Sequence, residues 1–181
     1  MCNTQSVKSS GVAQSTWDAL PQSDRFAWLT FRKAAVELIA LLDADLQTHV
    51  QIGFTDFDAL IRLLNAPDHT MRMADLARAV SRSPSALTRM VSRLETRHLV
   101  TRNRHSATEV TVTITPQGLR LLDDAAPRHL ALVGQLFWSP LTPAQRTDLG
   151  ALCQQLIEAE CVEDGADVAK PSDRKPSPRA S

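Results

Sequence analysis

From Asp24 to Val50 no proline or glycine interrupts the chain, and Phe31, Ala35, Leu38, Leu42 and Leu46 fall on one helical stripe. Trp28, Val36, Ile39 and Val50 widen that stripe to a second side. The pattern predicts a long helix, capped by Ser23 or Asp24, ended by Gly53 and buried on two sides, often by its own domain and by another subunit. FTDFDALIRLL follows, with Phe57, Leu60, Ile61 and Leu64 on one face, Thr55 as candidate N-cap and Asn65-Ala66-Pro67 as the stop. MADLARAV then sets Met73, Leu76, Ala77 and Val80 at i, i+3, i+4, i+7. Arg72 stands where a capping oxygen is expected, and Thr70 is the alternative one turn earlier.

Only Ser81-Arg82-Ser83 separates this helix from the next, SPSALTRMVSRLE, whose Leu87, Met90, Val91 and Leu94 make a core-facing stripe. Ser83 is a good N-cap and Pro84 a favoured first helical residue. Two short helices joined by so tight a turn match a helix-turn-helix. The back of the second helix, with Ser85, Ala86, Thr88, Arg89, Ser92 and Arg93, is small or cationic and almost free of acid. LVTR (99–102) and EVTVTIT (109–115) flank NRHSAT, and the second run alternates strictly between apolar and threonine positions, as a half-buried hairpin strand does. A basic hairpin directly after a helix-turn-helix is a wing, with Arg102, Arg104 and His105 as its contacts to a nucleic-acid backbone.

Pro116 opens a helix with Leu119, Leu122, Leu130, Val133 and Phe137 as its apolar series, and Pro127 inside it predicts a kink or break. Thr142-Pro143 caps a last helix reaching about Cys161, with Leu149, Leu152 and Leu156 on one side. Residues 1–16 are polar with Lys8 as their one charged side chain, residues 162–181 hold four acids, four bases and three prolines, and both are expected to be disordered tails.

Whole-chain charge adds nothing, since 20 basic residues balance 20 acidic ones. Its distribution does. From Arg72 to Arg104 there are eight arginines, no lysine, and only Asp75 and Glu95 as acids, a net of about +6 by simple counting. Arginine forks onto phosphate and onto the guanine edge, so the cluster suits nucleic acid. Aromatics make up 4% with no tyrosine, which argues against stacking platforms for single strands. No apolar run approaches a membrane span and no signal-peptide core is present, so a cytoplasmic protein with access to the nucleoid is expected. Enzyme chemistry finds no footing. The five histidines form no H-E-x-x-H pattern, there is no G-x-S-x-G, P-loop or G-x-G-x-x-G, and His and Cys lack zinc-site spacing. No catalytic residue, metal or cofactor is expected.

FDALIRLL, MADLARAVSRSPSALTRMVSRLETRHLVTR, VTVTITPQG and HLALVGQLFWSPLTPAQRTDLGAL together resemble the MarR (multiple antibiotic resistance regulator) family of transcription factors over about Asp24 to Glu160. The resemblance implies a mainly α fold with a small β-hairpin wing: a winged helix-turn-helix domain over 54–115, embedded in a helical dimerisation region made of 17–53 and 116–161. The function it implies is a dimeric repressor that binds a pseudo-palindromic duplex and responds to a ligand. Carried over by position, Ser83, Ser85, Ala86, Thr88 and Arg89 face the major groove, and Arg82, Arg93, Arg102 and Arg104 hold phosphates. The family wing usually carries Asp-Arg-Arg near its tip. Here Ser106-Ala107-Thr108 stands in that place on a loop about two residues shorter, with Arg104 or His105 as the substitute.

Members of the family commonly release DNA when a small aromatic or anionic effector binds, and the candidates for its site are Trp17, Trp28, Phe31, Asp58 and Arg89. Asp58 and Arg89 match positions that hold an anion in the urate-responsive branch, whereas Trp28 and Phe31 equally fit plain core. A cysteine-based redox regulator of the same fold is the alternative, on Cys2, Cys153 and Cys161. A helical interaction adaptor is another, but it leaves the arginine block without a purpose.

Overall fold

The computed structural model describes residues 16–106 and 109–163, the last four by backbone alone. Except for residues 16, 162 and 163, which are helical, the two expected tails lie outside the described residues, as do Cys2 and the side chain of Cys161. The chain divides after Phe137 into two compact units.

The first unit begins with a helical turn at 16–18 and the long helix α1, Gln22–Val50. Its N-cap is Pro21 rather than Ser23 or Asp24, and no side chain caps it. It ends at Val50, where the pattern places its end, but Gly53 is not the terminator. Gln51 takes the left-handed conformation at φ 57°, and Gly53 instead begins α2, Phe54–Leu64. Arg97 supports the stop, because its guanidinium donates to the carbonyls of Gln51 and Val50 at 2.5 and 3.0 Å and satisfies the exposed helix end. Thr55 does not cap α2 either. The cap comes from α1, where Asp43 Oδ1 accepts from Phe54 N at 2.6 Å.

After a 3₁₀ turn over Pro67–His69, a short strand β1, Thr70–Arg72, leads straight into α3, Met73–Ala79. The strand accounts for the poor cap at Arg72. Thr70 Oγ1 does not cap the helix but meets Thr113 Oγ1 at 2.8 Å across the sheet. Helix α4, Pro84–Thr96, starts as its sequence requires, with Ser83 Oγ accepting from Ala86 N and Leu87, Met90, Val91 and Leu94 all buried. Strands β2, Val100–Arg104, and β3, Val110–Ile114, form the expected hairpin, and β1 adds a third antiparallel strand in the order β1-β3-β2. The core is shared among α1, α2, α3, α4, this sheet and the helix that follows it, with Leu60, Leu63, Leu76, Val91 and Val112 fully buried.

Helix α5, Pro116–Val133, is capped by Thr115 Oγ1, runs unbroken through Pro127 and ends in a π turn over Gly134–Trp138. It is tied to α1 by Arg128, whose Nε and Nη2 clasp the Asp45 carboxylate at 2.6 to 3.1 Å. That guanidinium holds Asp45 below the usual carboxylate range. Next to it, the His129 ring lies 4.6 Å from that of Phe57 and 6.2 Å from that of Phe54, with Nδ1 buried and without a partner. Burial lowers the His129 pKa, against a smaller upward pull from Asp45. The unfolded chain takes up this proton at about pH 6.5, and the folded chain resists it. Stability is therefore complete above that pH and declines as pH falls through it. The charged pair beside the ring, Asp45 and Arg128, stays ionised over this range, and His49 lies on the far side of Asp45 at 3.5 Å. Urea midpoints at pH 7.5 and 5.5 should fall on acidification, and His129→Leu should flatten that fall.

The second unit contains α6, Pro143–Glu163. Thr142 and Gln145 cap it reciprocally, Oγ1 accepting from Gln145 N at 3.3 Å and Oε1 from Thr142 N at 2.9 Å. No helix among the described residues is long and apolar enough to cross a membrane.

Candidate nucleic-acid interface

Capping by Ser83 and the fixed φ of Pro84 set the direction of α4, and its buried stripe presses one side into the core. The opposite side, with Ser85, Thr88, Arg89, Ser92 and Arg93, is exposed, and Ala86 is half-buried at its edge. Ser83 Oγ is occupied as the cap and also lies 3.3 Å from Ser85 Oγ, while Thr88 Oγ1 donates to Pro84 O at 2.9 Å. These three hydroxyls keep lone pairs for a partner, but their primary bonds hold the first turn of the helix.

The arginine block separates into two sets. Arg72 pairs with Glu109 at 3.1 Å, Arg78 with Asp75, Arg93 with Asp56 at 2.9 Å and Arg102 with Glu95 at 2.9 Å. Arg82 donates to Thr55 Oγ1 at 2.9 Å, and Arg97 is the latch on the end of α1. Among the described residues, only Arg89 and Arg104 of the eight carry no hydrogen bond or ion pair to the protein. Both are exposed, one on α4 and one on the wing. The counted charge of the block thus overstates its free charge. The acids that neutralise it stand far away in sequence, except for Asp75 and Glu95.

Two cavities flank α4. The larger, about 900 Å³, lies between α3, the start of α4 and the wing, with Met73, Ala77, Leu87 and Val110 as an apolar floor. Arg72, Arg78, Arg82, Arg102 and Arg104 surround it. The smaller, about 340 Å³, is polar and lies where the end of α1 and the start of α2 meet α4. Arg82, Arg89 and Arg93 line it together with Asp43, Asp56, Gln47 and Thr55. Burial raises the Asp56 pKa, against the pull of the Arg93 guanidinium beside it, and the neighbouring Asp43 carboxylate adds to the rise.

Of the residues expected to hold an effector, Arg89 lines one of these two cavities and Trp17, Trp28, Phe31 and Asp58 line neither. Arg89 lines the smaller cavity, but its acidic companions there are Asp56 and Asp43. Asp58 pairs with Arg62 on its own helix at 3.3 Å. Trp28 and Phe31 are 53% and 46% exposed on α1, and Trp17 is half-buried in the turn at 16–18. On the wing, His105 Nε2 lies 3.0 Å from Thr111 Oγ1, and the backbone N–H groups of His105 and Ser106 both donate to Glu109 O. Cys153 is half-buried on α6.

Comparison with known proteins gives consistent likenesses. The MarR family model matches residues 54–107. A MarR family transcriptional regulator from Streptomyces coelicolor, solved in complex with DNA, shares 27% identity over 77% of this chain and 89% of its own, with a TM-score of 0.75. AbsC, a MarR family regulator from the same organism, shares 29% identity over 77% of this chain and 95% of its own, at 0.73. MepR from S. aureus, solved as a DNA complex, is 18% identical over 72% of this chain and 95% of its own, at 0.64, and supports the fold alone. No curated protein matches.

Proposed function

The chain belongs to the MarR family of DNA-binding transcriptional regulators, which are not enzymes, and from that premise we propose that it is a homodimeric, ligand-responsive repressor acting in the cytoplasm. The observation that carries this proposal is the exposed back of α4, where Arg89 stands without a protein partner and small hydroxyl residues surround it. Small side chains allow the helix to approach base edges, and an unpaired guanidinium can fork onto guanine O6 and N7. Arg104, on the wing, is the matching candidate for the phosphate backbone.

A dimer is supported by apolar surface that a solitary chain would leave in water. Phe26 is 67% exposed on α1, which also exposes Trp28, Val36 and Leu41 around its circumference, and α6 exposes Leu152, Leu156 and Ile157. A second copy of the chain covers these faces and sets two recognition helices in successive major grooves about 34 Å apart. The smaller cavity supports an effector site. Its three arginines suit a small anion, and Asp43 and Asp56 suit a ligand that also donates hydrogen bonds. Occupation there draws Arg89 and Arg93 toward the ligand and lowers affinity for DNA.

The test is direct. A duplex selected by the protein from a random pool is titrated by fluorescence anisotropy at several salt concentrations. Affinity should fall steeply with salt, about tenfold or more between 50 and 200 mM, as phosphate-bound counterions are released. Failure to select any duplex, or an affinity indifferent to salt, removes the proposal.

A further inference from the structure

The wing and the recognition helix are joined by a side-chain bridge that DNA binding by itself does not require. Arg102, on β2, sends Nη2 to Glu95 Oε2 at 2.9 Å and to Ser92 Oγ at 3.1 Å, both on α4. Its Nε is buried with no acceptor, and the side chain is only 26% exposed. The two bonds of Nη2 hold the guanidinium in this place although its Nε goes unsatisfied there. Arg104 lies two residues further along the same strand and hence on the same face. Arg104 is exposed, and its side chain has no partner among the described residues.

We propose that Glu95, Ser92 and Arg102 form a clasp that fixes the wing against the recognition helix, so that Arg102 is a positioning residue and Arg104 the wing's phosphate contact. The inference rests on the lobe binding duplex DNA. Glu95 is an acid on the helix that reads DNA, where its charge alone opposes binding. Its presence is explained if it holds Arg102, because the clasp orders the wing before DNA arrives and removes that cost from the binding step.

The experiment measures duplex affinity against salt for the full chain and its variants, with the duplex that the wild-type protein selects. Glu95→Gln and Arg102→Gln should each weaken binding about five- to tenfold with the salt slope unchanged, because each frees the wing without removing a phosphate contact. Arg104→Gln should lower the slope by about one. The double exchange of Glu95→Arg with Arg102→Glu should bring affinity back to within about twofold of wild type, since it reverses the pair and keeps the net charge. Tighter binding by Glu95→Gln, a reduced slope for Arg102→Gln, or a double exchange weaker than either single change overturns the clasp. A wild-type chain that selects no duplex fails earlier, at the DNA-binding premise.

Discussion

Gly118→Ala should leave little folded protein. An alanine inside a helix ordinarily gains about 1 kcal/mol over glycine, so the expected loss runs against propensity. Gly118 occupies the first turn of α5, where its N–H donates to Thr115 Oγ1 at 3.0 Å. A Cβ there would stand 2.3 Å from Leu99 O and 2.6 Å from Ile114 Cγ1. Neither neighbour can yield cheaply. Leu99 O accepts from Thr115 N at 3.0 Å, and Thr115 Oγ1 bonds His98 O, so the backbone at the start of β2 is tied to the start of α5. Ile114 is buried, 5% exposed, in the shared core. Moving the helix away breaks these ties and opens the core beneath it. The cost is on the order of 4 kcal/mol or more, a large part of the stability of an ordinary domain. Urea titration followed by circular dichroism checks it, and a variant within 1 kcal/mol of wild type, a bound taken as about the scale of a typical single substitution, would show that the contact relaxes easily.

Arg89→Ala should cost about 1–3 kcal/mol of affinity for the selected duplex and relax preference at one G·C pair. The size follows from the side chain's freedom. Arg82, Arg93, Arg97 and Arg102 already hold protein oxygens, so losing any of them disturbs the lobe, whereas losing Arg89 removes only what it gives to a partner. Selection from a random duplex pool reads the relaxed position directly. If affinity fell equally on every sequence and the salt slope dropped by about one, Arg89 would be a phosphate contact instead. Because Arg89 also lines the smaller cavity, the same variant should lose any anion-dependent change in DNA affinity.

What could be read along the chain was what is decided locally. Ser83 and Pro84 act on residues within one turn, and the apolar stripe of α4 needs only its own spacing. The failures share a different cause. The cap of α2 comes from Asp43, eleven positions before the N–H it receives, so Thr55 was the natural but mistaken choice. Strand β1 is three residues long and exists because it pairs with β3, forty residues away, which no window around Thr70 reveals. The charge block was visible as a sum, but its division was not. Asp56 and Arg93 stand 37 positions apart, and the latch from Arg97 to Val50 spans 47.

That latch has a mechanical side. Helix α1 has 29 residues and is about 43 Å long, and its final carbonyls are held by the residue that closes α4. The fulcrum of this long arm therefore sits at the end of the recognition helix. A tilt of about 5° about Val50 displaces the far end of α1 by nearly 4 Å. Run in reverse, the same geometry divides any displacement of the far end by the length of the arm, so coarse motion there becomes fine adjustment where α4 meets its groove.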